Sequence, residues 1–363
     1  MSGFRTVDRD GPLRVVQVGA GGMGRAWIGA VSRSDDVELA GLVDLDLTTA
    51  HEALAEAGLD GVRVGVSVSE VAAAAEADVV VNVTVPVAHL PVNVEALAAG
   101  YPVLCEKPAA PTVSDALRQA AAAEAHGQLL MISQSRRYFD GLRALRDEAR
   151  RLGEIGAVAT EFFKEAHFPG FREEMEHVLL VDMAIHAFDA VRYVLDRDPV
   201  AVYAEEYNPG WSWYRGDANA IAVFEFEGGA RYSYTGSWCA PGLETSWNGR
   251  WRVSGARGSA EWDGEGPPRV EGAEIEGSAA VDAAPEQIDG SLAEFVAAVR
   301  TGAGPSTEAH GNVASLAMVE AAVRSASTGA RVRIADVVET AFEVALVDEQ
   351  DESVRGVLEG WRG

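Results

Sequence analysis

Short apolar runs alternate with longer segments of helical periodicity over the first 135 residues. Polar residues do not recur at every second position in the short runs, so each run predicts a strand that is buried on both faces. Strands of this kind, alternating with helices, specify a doubly wound parallel sheet. We predict strands at residues 13–18, 37–43, 62–66, 78–83, 101–105 and 129–132, and helices at 47–57, 70–76, 89–99 and 114–126.

Beyond residue 135 the strand-like segments alternate apolar and polar residues, and glycine pairs and Pro-Gly steps separate them. This alternation predicts a large, mainly antiparallel open sheet with one face covered and the other free to meet a partner. The segment 263–289 has little core-forming pattern and is expected to be irregular surface. We predict strands at 157–167, 200–207, 218–226 and 230–238, and helices at 141–152, 176–195, 291–301 and 312–326.

The predicted fold class is therefore α/β, with a doubly wound parallel domain over residues 1–135 and an α+β domain over residues 136–363. The last helices are expected to pack back on the first domain or on the second sheet.

The composition of the chain excludes some classes of binding partner and indicates the cellular compartment. A formal net charge of −26 leaves no basic stripe for phosphates, which argues against nucleic acid and anionic membranes as partners. Cys105 and Cys239 are too few for a disulfide framework, and no run approaches the roughly 20 apolar residues of a membrane helix. Residues 1–12 lack the apolar core of a signal peptide. We expect a soluble, cytoplasmic protein, and no Cys/His/Asp cluster has metal-ligand spacing.

The stretch after the first predicted strand has the composition of a dinucleotide-binding turn. It consists of Gly19, Ala20, Gly21, Gly22, Met23 and Gly24. Gly19 suits a tight turn, Gly21 lets the backbone approach a pyrophosphate, and Gly24 allows close packing of helix on strand.

Asp44 ends the second predicted strand, twenty residues past Gly24. A carboxylate at this position can bind an adenosine ribose. Because no Lys or Arg occurs between Asp44 and Arg63, nothing nearby favours a 2′-phosphate, and the sequence predicts NAD rather than NADP. The alternative role of Asp44 is to cap the following helix.

An unusual lysine follows the strand predicted at 101–105, in the sequence Glu106-Lys107-Pro108. The 30 basic residues comprise 28 arginines and only two lysines, Lys107 and Lys164. A compact ammonium with a movable pKa thus stands at the carboxyl edge of the sheet, where open α/β sheets bind ligands. The alternative is a surface salt bridge. The same edge carries further candidates for contact with a cofactor, namely Thr84, Val85, Pro86, His89 and Gln134.

The helix predicted at 176–195 is strongly apolar but carries ionisable residues along one stripe. Asp182 and His186 are four residues apart and Asp189 follows three residues later, so all three share a helical face. A carboxylate beside an imidazole orients it and raises its basicity, as a general base requires. Ionisable groups on a mostly buried helix can instead form a structural polar network. Spacing alone leaves both roles open.

These motifs together resemble the Gfo/Idh/MocA oxidoreductase family, from residue 13 to about residue 334. The resemblance implies an NAD-binding Rossmann domain over 1–135 and a substrate-binding and oligomerisation domain over 136–363. It implies hydride transfer between nicotinamide and a secondary alcohol of a sugar, sugar acid or inositol-type polyol. Association through the open face of the second sheet, as a homodimer or homotetramer, is also implied.

The resemblance also implies roles for three residues. His186 is the base or acid for the hydroxyl proton, Lys107 hydrogen-bonds the same oxygen and stabilises alkoxide character, and Asp182 orients His186. This chemistry is sensible because a developing oxyanion needs preorganised positive donors in a dry site.

Six further residues are candidates for the wall of the substrate pocket beside these three. Tryptophan faces and planar arginine groups suit sugar rings and hydroxyls, and the basic residues among the six hint at an anionic substituent. Each can instead belong to solvated surface or to sheet packing. The candidates are Arg136, Lys164, His167, Arg172, Trp213 and Tyr214.

Two alternative functions stay open. Some relatives in the superfamily are glycosidases that keep NAD bound, oxidise a glycoside transiently, eliminate the aglycone and return the hydride. A regulatory protein that binds NAD without catalysis is the other alternative, and the intact set of Lys107, Asp182 and His186 argues against it.

Overall fold

Two separate β-sheets, one parallel and one mixed, organise the chain. The computed structural model describes residues 3–272, 277 and 284–362. Contacts divide the chain into a first unit, made of Met1–Ser135, Pro285–Val313 and Thr340–Gly363, and a second unit, made of Arg136–Ala284 and Ala314–Glu339. The C-terminal part of the chain thus contributes to both units.

The first unit contains six parallel strands. They are β1 (Leu13–Val18), β2 (Val37–Val43), β3 (Arg63–Gly65), β4 (Val79–Asn82), β5 (Val103–Glu106) and β6 (Leu130–Ser133). Their order in the sheet is β3-β2-β1-β4-β5-β6, so the direction of winding reverses between β1 and β4. The predicted doubly wound parallel sheet is confirmed, and the carboxyl ends of all six strands lie along one edge.

The helices that connect these strands are α1 (Gly22–Arg33), α2 (Leu47–Ala57), α3 (Val68–Ala74), α4 (Pro86–Ala98) and α5 (Val113–His126). Helix α2 begins where the Asp46 carboxylate accepts the backbone N–H groups of Thr48 and Thr49, and it ends at Gly58 in the left-handed conformation. Helix α4 begins at Pro86 rather than at residue 89, because proline at the first helical position needs no partner for an N–H group.

The second unit contains eight strands. They are β7 (Ile155–Phe163), β8 (Pro199–Tyr207), β9 (Asn219–Phe226), β10 (Arg231–Ser237), β11 (Arg250–Gly255), β12 (Gly258–Trp262), β13 (Arg269–Gly272) and β14 (Val332–Arg333). Their order is β13-β12-β11-β7-β10-β9-β8-β14, and among these described strands only the β7–β10 pair is parallel. The prediction of a mainly antiparallel sheet is confirmed.

The remaining α-helices all lie after residue 135. They are α6 (Asp140–Arg151), α7 (Ile185–Leu195), α8 (Gln287–Thr301), α9 (Ala309–Thr328), α10 (Ile334–Asp348) and α11 (Glu352–Gly360). Short 3-10 helices occupy Ser135–Tyr138, Phe171–Glu174 and Glu227–Gly229. No helix among the described residues is long and apolar enough to cross a membrane.

Two expectations for the second half need correction. The helix predicted over 176–195 begins as a π-helix, Leu179–Ala184, and becomes α-helical only from Ile185, so the simple four-residue spacing of an α-helix does not apply to Asp182. The segment 263–289 is not wholly irregular, since it contains β13 and the start of α8. Its residues 273–276 and 278–283 lie outside the described part of the chain.

The two faces of the second sheet differ in burial. One face is packed with aromatic rings, with the Phe188 ring of α7 edge-on to Phe224 at 4.7 Å and to Tyr234 at 5.4 Å between centroids. The other face leaves Tyr203, Ile221 and Val223 exposed within the chain. Period-two alternation in β8, β9 and β10 therefore separates a core face from an open face, as the sequence predicts.

Candidate active site

The glycine turn connects β1 to α1 at the point where the strand order reverses. Gly19 has a φ of +102°, and a Cβ atom there would lie 2.7 Å from the Val83 carbonyl oxygen at the end of β4. A Cβ atom on Gly24 would overlap the Gly19 carbonyl oxygen. Only glycine therefore allows this helix to start so close to both strands.

The side chain of Gln17 stabilises this turn through hydrogen bonds. Its side chain is fully buried, and its amide donates to the carbonyl oxygens of Gly19 at 2.8 Å and Gly24 at 2.9 Å. Sequence reasoning overlooked Gln17, although an amide between the aliphatic residues of a buried strand was a usable signal, because buried polar groups need partners.

Asp44 lies beside the glycine turn, as the spacing predicts. Its carboxylate accepts the backbone N–H of Ala20 at 2.8 Å and that of Asp46 at 2.9 Å. The carboxylate remains partly exposed. Asp46, and not Asp44, caps α2, so the alternative role considered for Asp44 belongs to its neighbour.

The edge of the first sheet fits a dinucleotide. No side chain caps the start of α1, and a Cβ atom on Gly21 or Gly22 would meet nothing within 4 Å, so a ligand can closely approach the backbone here. Apolar side chains are exposed after each of the first four strands, and exposed apolar groups that lie together are typical of a ligand-binding surface. They are Met23, Leu45, Val66 and Val85.

A chain of buried amides ties the end of β4 to the segment after β5. The Thr84 hydroxyl donates to Asn82 Oδ1 at 2.7 Å, and the Asn82 amide donates to Asn93 Oδ1 at 2.8 Å. Asn93 then donates to Gln119 at 2.7 Å, and Gln119 donates to the Ala109 carbonyl at 2.7 Å. The network fixes the backbone just beyond Pro108 against the end of β4.

His89 makes a second link between the same segments. The buried ring places Nδ1 2.8 Å from the Pro108 carbonyl oxygen and Nε2 3.1 Å from the Thr84 carbonyl oxygen. Burial lowers the pKa of His89, against the opposing effect of these carbonyls. The predicted cofactor residues Thr84, His89 and Pro108 are thus brought together through backbone contacts.

Glu106 and Lys107 stand at the end of β5, joined to Pro108 by a cis peptide bond between Lys107 and Pro108. The buried Glu106 carboxylate accepts Trp27 Nε1–H at 2.8 Å and the backbone N–H of Lys107 at 3.1 Å. Burial raises the pKa of Glu106, and Trp27 and Lys107 oppose that shift. Glu106 is therefore engaged inside the unit, while the Lys107 side chain is partly exposed at the edge.

Gln134 follows β6 at the same edge. Its side chain is 1% exposed, and among the described residues neither its amide oxygen nor its amide nitrogen has a hydrogen-bond partner. Buried polar groups are normally paired, so this amide suits a hydrogen bond to a ligand or to water.

His186 lines a pocket inside the second unit. Aromatic rings form much of its wall, including Trp247, Trp251 and Trp262, and Arg136 is its other basic residue. His186 and Arg136, predicted from distant parts of the sequence, are therefore brought together.

Asp182 lies four residues before His186, on the π-helix. Its carboxylate accepts Arg172 Nε–H at 2.6 Å, and Arg172 stacks over the Phe171 ring at 4.8 Å. Two predicted substrate residues, Arg172 and Asp182, are thus paired with each other.

Asp189 and Arg137 form a separate, buried pair. Two hydrogen bonds of 2.7 Å join the Arg137 guanidinium to the Asp189 carboxylate, which also accepts the Ser315 hydroxyl at 2.6 Å. Burial opposes the charge on Arg137, but Asp189 outweighs it and raises the pKa of Arg137. Asp189 is therefore satisfied within the core and anchors the 3-10 helix that carries Arg136.

Other predicted pocket residues lie in two small groups. Lys164 Nζ contacts Glu244 at 2.8 Å and stands 5.1 Å from the Trp247 ring centroid. The exposed His167 ring stacks on Trp213 at 3.7 Å, and the Tyr214 hydroxyl donates to the Ala166 carbonyl at 2.6 Å. Sequence reasoning overlooked Trp247 and Asn248, since a polar loop gives no periodic signal for a wall residue.

The doubly wound parallel sheet with a glycine turn after β1 defines a Rossmann-type domain, and sequence comparison identifies the family. Residues 13–134 match the family described as "Oxidoreductase family, NAD-binding Rossmann fold", and residues 139–261 match the GFO/IDH/MocA C-terminal domain. Together these matches cover more than half of the chain. The protein belongs to the Gfo/Idh/MocA family of NAD-binding oxidoreductases, as its motifs indicate.

Named relatives extend over most of the chain. The rhizopine catabolism protein MocA of Rhizobium meliloti is 28% identical over 315 residues, which are 85% of this chain and 94% of the relative. The 1,5-anhydro-D-fructose reductase of Ensifer adhaerens is 27% identical over 327 residues, or 86% and 96% of the two chains. An oxidoreductase from Agrobacterium radiobacter, solved with NAD⁺, L-tartaric acid and magnesium, superimposes with a TM-score of 0.78 at 20% identity, covering 89% of this chain and 99% of that one. The last comparison shows the shared fold.

Proposed function

We propose that the protein transfers a hydride between NAD and a secondary alcohol of a sugar, a sugar acid or an inositol-type polyol. The observation that carries the proposal is the buried network at the edge of the first sheet. His89 and the Asn82–Asn93–Gln119 chain hold the Glu106-Lys107-Pro108 segment against the end of β4, beside the strand that leads into the glycine turn. Because the backbone around Lys107 is held at this edge, its ammonium group is suited to hydrogen-bond a substrate next to a bound cofactor.

In this proposal three side chains share the acid–base work. Bound NAD accepts the hydride from the substrate carbon or returns it. His186 takes or gives the hydroxyl proton, and Asp182 keeps its imidazole in a productive orientation. Lys107 donates a hydrogen bond to the same oxygen and stabilises the negative charge that develops on it.

The choice of substrate class rests on the pocket and on the relatives. The exposed Trp247 ring offers an apolar face on which a sugar ring can stack. The named reductase acts on anhydrofructose, and the Agrobacterium protein was solved with tartaric acid, which carries hydroxyl and carboxylate groups. These similarities favour a polyhydroxylated substrate.

A spectrophotometric screen tests the proposal. Purified protein is mixed with NAD or NADP and with inositols, aldoses, sugar acids or aryl glycosides, while reduced cofactor and released aglycone are both recorded. We expect reduced cofactor with NAD and much less with NADP, because the Asp44 carboxylate would repel a 2′-phosphate. Release of aglycone without net NADH would instead support the glycosidase alternative.

Replacing Lys107 by Ala tests the role of the ammonium. We expect kcat to fall about 100- to 1,000-fold, as for loss of one preorganised oxyanion donor, while the Kd for NAD changes little. Lys107→Arg should restore little activity, because a guanidinium is larger and has a different donor geometry. An unchanged kcat in the alanine variant would refute the role of Lys107.

We also propose that the protein assembles as a homodimer or homotetramer through the open face of the second sheet. The exposed apolar residues Tyr203, Ile221 and Val223 on adjacent strands β8 and β9 support this proposal.

A further inference from the structure

Arg136 occupies an unusual electrostatic position in the second-unit pocket. Its Nη1 donates to Asn248 Oδ1 at 2.6 Å, and its guanidinium carbon lies 5.5 Å from the Phe139 ring centroid. Within the described part of the chain, no carboxylate forms an ion pair with it. The charge of Glu265 acts on Arg136 only from beyond ion-pair distance, and burial lowers the pKa of Arg136 to about 10. The side chain therefore keeps its positive charge at neutral pH without a paired carboxylate.

The neighbouring basic residues are arranged differently. Lys164 is paired with Glu244 at 2.8 Å, Arg172 with Asp182 at 2.6 Å, and Arg137 with Asp189 at 2.7 Å. The chain carries 26 more acidic than basic residues, so carboxylates are plentiful. A partly buried guanidinium without a carboxylate partner costs free energy, unless another anion binds to it.

The surroundings hold Arg136 in one orientation. The Arg137–Asp189 pair anchors the next residue in the chain to α7. On the other side, the Asn248 amide donates to the Gly264 carbonyl at 2.7 Å, which turns its Oδ1 atom toward Arg136. A preorganised guanidinium loses little side-chain entropy when it binds a ligand.

A second polar group of the pocket also lacks a protein partner. The Tyr234 side chain is 1% exposed, and its hydroxyl has no hydrogen-bond partner among the described residues. Gly236 leaves room for this hydroxyl, since a Cβ atom there would come within 2.5 Å of it. Burial raises the pKa of Tyr234 well above its ordinary value, so the group remains a neutral donor. Arg136 and Tyr234 both line this pocket.

We propose that Arg136 binds an anionic group of the substrate, a carboxylate, and makes the pocket selective for acidic over neutral sugars. The inference rests on the proposed function, because His186 lines the same pocket. A planar guanidinium matches the two oxygens of a carboxylate, and the low polarity of the tryptophan-lined wall strengthens the attraction. Tyr234 donates a further hydrogen bond to the acid or to an adjacent hydroxyl.

Calorimetric titration tests the inference without relying on turnover. The full-length protein, saturated with NADH, is titrated with matched pairs of probes: D-glucose with D-glucuronate, D-galactose with D-galacturonate, and D-glucose with D-glucose 6-phosphate. We expect at least one acid to bind about 10- to 100-fold more tightly than its neutral partner, and Arg136→Gln to remove that difference. The phosphate probe shows whether the site prefers a carboxylate over another anion.

Arg150→Gln is the matched control. It removes the same charge from an exposed ion pair with Asp147 on α6, so the ratio of acid to neutral affinity should not change. Thermal unfolding of both variants checks that each is folded, and Arg136→Lys should recover part of the preference by retaining the charge.

Each outcome bears on the inference separately from the proposed function. Equal or weaker binding of every acid, no measurable binding by any acid, or an unchanged preference in Arg136→Gln overturns the role of Arg136. Oxidation of neutral sugars alone overturns it as well and leaves the dehydrogenase proposal standing. Binding of acids that depends on Arg136, without reduction of NAD on any acid, neutral sugar or polyol, supports the inference and counts against the proposed function.

Discussion

At the scale of single residues, the buried imidazole of His89 lies between two backbone carbonyl groups at the carboxyl edge of the first sheet. A neutral imidazole has one N–H group, so His89 can donate to only one of Thr84 and Pro108 unless it binds a second proton. Burial makes that proton costly, since it lowers the pKa of His89. We therefore expect His89 to act through the backbone it positions rather than through proton transfer.

Substitution of His89 by Asn tests this positioning role. The shorter amide cannot reach both carbonyls, so we expect a higher KM for NAD, a lower kcat and a loss of about 1–3 kcal/mol of unfolding free energy. Kinetics and denaturant unfolding provide the measurements. His51→Asn, at an exposed position on α2, is the control, and equal behaviour of the two variants would contradict the role.

At the scale of elements, the close approach of α1 to β1 makes a matched pair of glycines informative. Both Gly24 and Gly29 lie in α1, but a Cβ atom on Gly24 would overlap the Gly19 carbonyl, whereas one on Gly29 would meet only the flexible Arg33 side chain at 3.2 Å. The same substitution should therefore have opposite effects at the two positions.

Gly24→Ala should destabilise the protein by about 1–3 kcal/mol and weaken NAD binding, because the start of α1 must move away from β1. Gly29→Ala should instead raise stability by about 0.5–1 kcal/mol through its better helix propensity. Denaturant unfolding and NAD titration of both variants measure these effects. Similar NAD affinities in the two variants would argue against the tight-turn role of Gly24.

A charged cluster of the first unit contacts Trp361, the residue that follows α11. Trp361 donates to Glu124 at 3.2 Å and packs edge-on to His310 at 5.0 Å. His310 lies between Glu308, at 2.6 Å from Nδ1, and Glu124, at 3.3 Å from Nε2. Burial opposes protonation, but the two carboxylates outweigh it and raise the pKa of His310 above 6.5.

This raised pKa predicts a pH-dependent contribution to stability. Because the folded protein holds the proton more tightly than the unfolded chain, the stabilisation is full below about pH 6.5 and is lost as the pH rises through the folded-state pKa. The Tm of wild type should exceed that of His310→Gln most at pH 6 and least at pH 9. A difference that does not change with pH would show that His310 acts by packing alone.

At the scale of the whole molecule, the open sheet face is the proposed surface of association. Ile221 and Val223 are exposed on β9, next to Tyr203 of β8. Light scattering during gel filtration should give a dimer or tetramer, and Val223→Glu should lower the mass, because burying an unpaired charge is costly. Val347→Glu, at an exposed apolar site of α10, should leave the mass unchanged. A monomeric wild type would contradict the proposal.

The sequence alone determined the features that depend on nearby residues. Apolar runs and turn glycines specified the six parallel strands, and the spacing from Gly24 to Asp44 placed a carboxylate beside the turn. Periodicity, caps and turn chemistry are local properties, and a sequence displays them directly. The family resemblance followed from the same motifs and is confirmed by the matches over both domains.

Only the tertiary structure decided which distant side chains meet. Arg136 hydrogen-bonds to Asn248, which is 112 positions away in the sequence, and the His89 ring contacts the Pro108 carbonyl, 19 positions away. Asp182 on the π-helix also pairs with Arg172, whereas spacing alone predicted an α-helical stripe of Asp182, His186 and Asp189. Such pairings depend on how strands and loops from separate segments pack, because a buried charge or amide takes whichever partner the fold brings within reach.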